Sequence, residues 1–279
     1  MKFKDKKVVV MGLGLFGGGL EVTRYFVKQG AKVLVTDLRD ETQLQESLKF
    51  LEGLPVDFRL GQHCEEDFRS ADLVIANPGV KDDSPYLKIA YANNIPVDTE
   101  INIFLQNSPA SVIGITGSNG KSTTTAMINH ILETAGYKTW LGGNIGKSLL
   151  GELSNIKKDH KVVVELSSFQ LQRVKNISPN VAVITNLSKN HINWHGSMEN
   201  YAKAKQNILK FQKKADFCIL NGKDPEVSQW RNLTESQKVI FNSSDGDIFV
   251  KDNKIYFHNT PVIDVNKLPL KGRANQENA

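Results

Sequence analysis

The chain has 279 residues, 40% hydrophobic and 23% charged, which fits a folded protein of one or two domains and excludes disordered, collagenous and coiled-coil classes. Its 35 basic and 30 acidic residues leave a formal charge of +5, a mild excess that suits anionic substrates. With no arginine-rich arm, zinc finger or RNA-binding aromatic signature, nucleic acid is not expected as a partner. Two cysteines, Cys64 and Cys218, exclude a disulfide framework or a four-cysteine zinc site, so a reducing compartment, the cytoplasm, is expected.

No stretch approaches the roughly 18 apolar residues of a membrane-spanning helix. The opening MKFKDKK followed by VVVMGLGLFGGGL has the basic head and apolar run of a secretory signal. Glycines interrupt that run and no small-residue cleavage site follows, so strand, glycine turn and helix is the better reading.

In chain order, Val8–Gly12 is a β-branched strand and GLEVTRYFVKQG a helix closed by Gly30. KVLVTD is a second strand ending at Asp37, and Glu41–Leu51 a polar helix. ADLVIANPGV reads as a third strand stopped at Pro78-Gly79. A helix at Pro85–Asn93 precedes a strand at Ile95–Val97. This alternation predicts a parallel sheet with crossover helices. A new strand pattern starts after Asn107-Ser108-Pro109. SVIGIT, the turn GSNG and the helix KSTTTAMINHILETAG are followed by strands KTWLGG, KVVVEL, VAVITN, DFCILN and KVIFN. DIFVKDNKIYF reads as a hairpin turning at Asp252-Asn253. The expected fold is α/β in two domains, residues 1–105 and 106–279. The closing LPLKGRANQENA reads as a loop entering a helix that has no length before Ala279, so a fragment of a longer protein is expected.

Four segments carry chemistry. In GITGSNGKSTTT a strand runs into a glycine turn and Gly120-Lys121-Ser122 opens a helix, whose N-terminal N–H groups hold phosphate. Lys121 would reach the outer phosphates, and the hydroxyl of Ser122 or Thr123 would ligate Mg²⁺. A strict P-loop has glycine where Ile115 stands, so the loop is a variant with Gly117 as its earlier glycine. GLGLFG, Gly12 to Gly17, fits G-x-G-x-x-G, with Asp37 about 20 residues on to accept from a ribose hydroxyl or a base N–H. Glu165 in ELSSFQL ends a strand and would hold Mg²⁺ directly or through water. TNLSKNHINWHGS places His191 and His195 in a loop at the carboxyl end of another strand, with His191 the stronger candidate. Spacing alone selects none of Lys203, Lys205 and Lys210 in the basic helix ENYAKAKQNILKF.

Together these segments resemble the Mur ligase family, ATP-dependent amide-forming enzymes of peptidoglycan precursor synthesis, over essentially the whole chain. GSNGKST, GGNIG (Gly142 to Gly146), ELSSFQL, NLSxxHxxWHGS, YxxAK and GxxNxxN occur in matching order. ELSSFQL is the most discriminating of them.

The resemblance implies an N-terminal Rossmann-like, UDP-substrate-binding domain and a central P-loop-type α/β ATP-binding domain, with no C-terminal domain inside the 279 residues. It implies ATP and Mg²⁺ as cofactors, UDP-N-acetylmuramoyl-L-alanine and D-glutamate as substrates, and no nucleic acid, membrane or second subunit as partner. Gly117, Ser118, Asn119, Gly120, Lys121, Ser122 and Thr123 would form the ATP loop, with Asn275 and Asn278 facing adenine. Ser122 and Glu165 would hold one Mg²⁺, and His191 a second with Lys205, which is carbamylated in the family. Leu15, Phe16, Asp37, Arg39 and Gly79 would line the UDP site, and Asn144, Ser167 and Gln170 the muramoyl site. The substrate carboxylate would become an acyl phosphate attacked by the D-glutamate amine, and the 279 residues alone are expected to bind nucleotides without closing the amide.

Three positions depart from the family pattern. Asn190 and Asn193 stand where aspartates flank the histidine, Ala274 replaces a histidine before Asn275, and Phe16 replaces a small hydroxyl residue. The NAD-dehydrogenase alternative explains only the first hundred or so residues, a folylpolyglutamate synthase would lack the N-terminal G-x-G-x-x-G unit, and a non-catalytic nucleotide-binding subunit is opposed by intact Lys121, Glu165, His191 and Lys205.

Overall fold

The computed structural model describes residues 3–14, 17–268 and Gly272. The chain divides into two compact units, Met1–Asn107 with Lys147–Asn155, and Ser108–Gly146 with Ile156–Ala279.

The first unit is built on a parallel sheet of β1 (Lys7–Met11), β2 (Lys32–Asp37), β3 (Val56–Leu60), β4 (Leu73–Ala76) and β5 (Val97–Asp98), in the order β3-β2-β1-β4-β5. β1 is a β-branched run because helices cover both of its faces; Val8, Val9, Val10 and Met11 are all buried. The crossovers are α1 (Gly18–Lys28), α2 (Glu41–Lys49), α3 (Glu65–Arg69) and α4 (Pro85–Ala92), followed by α5 (Glu100–Asn107). α1 buries Val22, Thr23 and Phe26. The Asp40–Gln43 capping box starts α2, and Pro85 starts α4. Val9, Met11, Phe68, Val74 and Leu87 make one core. Emptying it at Phe68 would cost about 3–5 kcal/mol.

Two sequence expectations change here. β3 (VDFRL) and the short α3 were not anticipated, because an edge strand with Asp57 and Arg59 has a weak apolar pattern. Lys147–Asn155, expected in the second domain, folds with the first unit. Leu149 and Leu150 are buried, and the 3₁₀ turn Leu150–Glu152 packs on α1 and α5.

The second unit holds nine strands among the described residues: β6 (Ser111–Thr116), β7 (Thr139–Gly143), β8 (Lys161–Glu165), β9 (Val181–Ile184), β10 (Phe217–Asn221), β11 (Gln237–Phe241), β12 (Ile248–Lys251), β13 (Lys254–Phe257) and β14 (Thr260–Asp264). Their order is β14-β13-β12-β11-β10-β9-β6-β8-β7. Pairing is parallel from β7 to β12 and antiparallel in the last three strands. Asp252 and Asn253 take φ of 47° and 58°, the left-handed pair that a two-residue hairpin turn requires. The helices are α6 (Lys121–Thr134), α7 (Ser168–Leu171), α8 (Ile192–His195) and α9 (Met198–Gln206). Among the described residues no helix is long and apolar enough to cross a membrane.

Candidate active site

In the second unit, the loops following β6, β8, β9 and β7 converge at the carboxyl ends of the strands. β6 ends at Thr116, Gly117–Gly120 turn, and α6 begins at Lys121. Gly117 has φ of 151°, and a Cβ there would sit 2.0 Å from Thr185 Oγ1. Gly120, at φ 81°, caps the helix in the left-handed conformation. The loop is pinned from outside. Ser118 N donates to Asn186 O at 2.9 Å, and Asn119 N to Asn186 Oδ1 at 2.9 Å. Thr185 Oγ1 donates to Asn119 O at 2.6 Å. The Ser118 hydroxyl bridges Ser188 O and the Tyr201 hydroxyl at 3.0 and 3.1 Å. Asn186, Ser188 and Tyr201 belong to the quoted words NLSxxHxxWHGS and YxxAK, but the sequence pattern assigns them no role; here they support the loop.

Lys121 Nζ folds over the loop, donating to Ser118 O at 3.1 Å. Burial lowers its pKa, with Glu165 pulling the other way. Ser122 Oγ donates to Glu165 Oε2 at 2.6 Å and Asn144 Nδ2 to Oε1 at 2.7 Å. Thr123 lies one residue further on, so Ser122 is the hydroxyl that reaches Glu165. Glu165 is 2% exposed, and its backbone receives Asn144 N at 2.8 Å. Gly143, at φ 95°, permits that approach, since a Cβ would fall 2.2 Å from Glu165 O.

Ser167 and Gln170 form a reciprocal capping box on α7. Gln170 Oε1 accepts from Ser167 N and Oγ, both at 3.0 Å. Ser168 Oγ meets buried His195 Nε2 at 3.0 Å, and Phe169 stacks on the His195 ring with centroids 5.4 Å apart. His191 is exposed, at φ 51°, with its N–H donating to Asn190 Oδ1 at 2.9 Å and its ring edge-on to Phe169. Asn190 is thus engaged with its own loop. Burial lowers the His191 pKa, with the charges of Lys205 and Lys121 adding to the effect.

Lys205 is only 1% exposed. Its Nζ donates to Gly117 O at 2.8 Å and Thr116 Oγ1 at 3.3 Å, over the Tyr201 ring. Burial, then Lys121, push its pKa down to about 7, against the pull of Glu165. Among the described residues, His191 shares no hydrogen bond with Lys205, Glu165 or Ser122; Lys205 acts on it through charge.

Ser122 and Glu165 present a hydroxyl and a carboxylate beside a phosphate loop. Two hard oxygen donors fit Mg²⁺, which keeps waters and phosphate oxygens as its other ligands. Lys205 as an ammonium does not fit a cation, and Mg²⁺ prefers oxygen donors to an amine nitrogen; an anionic oxygen derivative would fit.

In the first unit, Gly12 and Gly14 take φ of 90° and 71°, and a Cβ on Gly12 would lie 2.9 Å from Asn77 Cβ. Asp37 is buried. Its Oδ2 accepts from Leu13 N at 2.9 Å and Gly14 N at 3.4 Å, and its Oδ1 from Arg39 N at 2.9 Å. The Arg39 guanidinium is 3.6 Å from Oδ1. The carboxylate expected to meet ribose or base therefore first orders the glycine turn and the loop after β2. Gly79 N donates to Asn77 Oδ1 at 3.1 Å, on the neighbouring loop after β4. Leu15, Phe16, Asn275 and Asn278, with Ala274, lie outside the described residues.

Residues 115–279 match the Mur ligase middle domain, and residues 6–99 match the family Mur ligase MurD-like, N-terminal domain. The chain is 37% identical over 286 residues to UDP-N-acetylmuramoylalanine--D-glutamate ligase of Koribacter versatilis (strain Ellin345), covering 100% of this chain and 62% of that protein. It is 34% identical to the protein of the same name from Acetivibrio thermocellus, covering 99% and 60%. The Roseiflexus sp. (strain RS-1) protein of that name is 41% identical over 229 residues, covering 81% and 49%. The chain thus spans about 60% of the first two of these relatives. Among solved structures, the UDP-N-acetylmuramate:L-alanyl-gamma-D-glutamyl-meso-diaminopimelate ligase from Neisseria meningitides superposes with a TM-score of 0.64 at 16% identity, covering 98% of this chain and 90% of that one. The UDP-N-acetylmuramate-alanine ligase of Thermotoga maritima gives 0.58 at 22%, covering 98% and 63%. These two likenesses show the fold.

Proposed function

The chain belongs to the Mur ligase family, and we propose that it is the nucleotide-binding portion of a ligase that adds D-glutamate to UDP-N-acetylmuramoyl-L-alanine at the expense of ATP. The observation that carries this is Glu165, whose two oxygens join Ser122 of the phosphate loop to Asn144 of GGNIG, immediately before the Ser167–Gln170 capping box. One carboxylate thus ties the loop read as the ATP site to both segments read as the muramoyl site.

Backbone N–H groups at the start of α6 hold the phosphates, and Lys121 neutralises their outer charge. Asn144, Ser167 and Gln170 orient the muramoyl carboxylate toward the γ-phosphorus. Attack by that carboxylate breaks the bond to the β-phosphate oxygen, releasing ADP and leaving an acyl phosphate. The amine of D-glutamate then attacks the acyl carbon, phosphate leaves, and the amine proton is lost as the amide forms. Mg²⁺, held at Ser122 and Glu165, would supply positive charge to the phosphates. Catalysis is positioning and charge neutralisation.

Lys205 fits a derivatised role. An amine whose pKa sits near 7 is substantially unprotonated at neutral pH. It can add CO₂ to form a carbamate, releasing one proton and turning a repelling ammonium into an oxygen donor for cations. In the first unit the uridine diphosphate moiety lies against the glycine turn and Asp37–Arg39.

The test is a binding screen of the purified chain against UDP-N-acetylmuramoyl-L-alanine, NADH and folate. The UDP-sugar alone of the three binds tightly. Tight NADH binding without UDP-sugar binding overturns the reading.

A further inference from the structure

At the carboxyl edge of the first unit's sheet, His63 lies in the loop between β3 and α3. That loop is fastened to β2 and the loop after it: Gly61 N donates to Arg39 O at 2.8 Å, and Thr36 Oγ1 donates to Gln62 O at 3.2 Å. The His63 Nδ1 is 2.7 Å from the same Thr36 oxygen. The assignment that satisfies both contacts puts the threonine proton on Gln62 O and the imidazole proton on Nδ1, donated to Thr36, which leaves Nε2 as an acceptor. The ring is wedged edge-on between Phe68 and Tyr86, which fixes its orientation. Among the described residues nothing hydrogen-bonds Nε2, and the residue remains half-buried.

The surroundings give that acceptor a purpose. Both oxygens of Asp37, the usual reader of a nucleoside at this place in the fold, already accept from backbone N–H groups. Next to it Leu38 is 66% exposed, an apolar face beside the strand end. A nucleoside lying past β2 toward β3 would find an apolar surface there, with His63 Nε2 offered by the adjoining loop. Burial lowers the His63 pKa, outweighing the opposing pull of Asp37 and Asp67, which favours the neutral ring that can accept.

We propose that His63 is a binding residue of the nucleotide site, accepting through Nε2 a hydrogen bond from the N–H or O–H edge of the nucleoside, either uracil N3–H or the ribose 2′-hydroxyl. This rests on the reading that the first unit holds a uridine nucleotide.

The test is calorimetry on the 279-residue chain with UDP, and competition titrations with 2′-deoxy-UDP and N3-methyl-UDP. The variants are His63→Leu, which removes the acceptor at similar bulk, and Thr36→Val, which releases Nδ1; circular dichroism confirms folding. Wild type binds UDP, and His63→Leu weakens it by about three- to tenfold, the loss of one hydrogen bond. Thr36→Val weakens it in the same direction, which keeps the test available should His63→Leu fail to fold. With the analogue that lacks the donor, the variants bind as wild type does; N3-methyl-UDP identifies the base and 2′-deoxy-UDP the ribose. Unchanged UDP affinity in a folded variant, or a penalty equally large with both analogues, overturns the assignment. No UDP binding by wild type overturns instead the reading on which it rests.

Discussion

Ser122 Oγ donates to Glu165 Oε2 at 2.6 Å across 43 residues of sequence. The contact exists because parallel strands β6 and β8 are neighbours in register, Ile115 opposite Glu165, so the helix after one strand starts beside the end of the other. With Asn144 on its second oxygen, Glu165 has no cationic partner at hydrogen-bonding distance among the described residues. Glu165→Gln should therefore lower ATP affinity in Mg²⁺ by about tenfold or more, through loss of one charge at the cation site. In excess EDTA, ATP binding should be nearly unchanged. Calorimetry under the two conditions measures both; equal losses would contradict a metal role.

Gly117 permits a backbone that other residues do not. At φ 151°, with a Cβ position 2.0 Å from Thr185 Oγ1, Gly117→Ala should cost about 2–4 kcal/mol. Urea denaturation of the variant reads this directly, and a loss under about 0.5 kcal/mol, typical of a surface change, would be inconsistent with the packing.

Lys205 should form its carbamate in a pH-dependent way. Burial and Lys121 lower its pKa to about 7, so the reactive amine is present above that pH and lost below it. In ¹³C-bicarbonate, a carbamate resonance absent from Lys205→Ala should grow as pH rises through about 7. Lys121→Ala removes a like charge and should move that onset to higher pH. A wild-type spectrum indistinguishable from that of Lys205→Ala would contradict the carbamate.

Glu100 predicts a pH dependence of stability in the first unit. Its carboxyl group is buried, though the residue is partly exposed, and Ser148 Oγ donates to it at 2.5 Å. Burial raises its pKa to about 7, Ser148 opposing and the Glu21 carboxylate adding to the rise. The folded state then holds a proton that the unfolded chain releases near 4.5. Stability is full below that pH and declines as pH rises to about 7, by up to about 3 kcal/mol. Glu100→Gln should flatten this decline and stabilise the protein at pH 8 relative to wild type. Parallel urea titrations of wild type and variant from pH 4.5 to 8 check it; coincident pH profiles would refute it.

Local signals were legible in the sequence. The strand–glycine–helix runs at Gly12 and Gly117, and the hairpin at Asp252-Asn253, depend on turn chemistry within a few residues. Elements fixed by distant partners were not. β14 is an edge strand with three exposed residues, and α5 follows β5 almost at once. Among the lysines of α9, spacing could not choose Lys205. Burial does: Lys205 is enclosed, whereas the Lys203 side chain is 64% exposed and paired with Glu199. The lock of Ser168 on His195 needed the register of β8, β6 and β9, which no local pattern reports.

We propose that the chain carries two nucleotide sites, ATP on the α6 loop and the uridine nucleotide on the glycine turn before α1. Calorimetric titration of wild type and Lys121→Ala with ATP·Mg²⁺, and separately with UDP-N-acetylmuramoyl-L-alanine, tests it most directly. Lys121→Ala should weaken ATP by at least about 2 kcal/mol, the loss of a charge-assisted contact to phosphate, and leave UDP-sugar affinity as in wild type. Unchanged ATP affinity in the variant, or equal losses for both ligands, would contradict it.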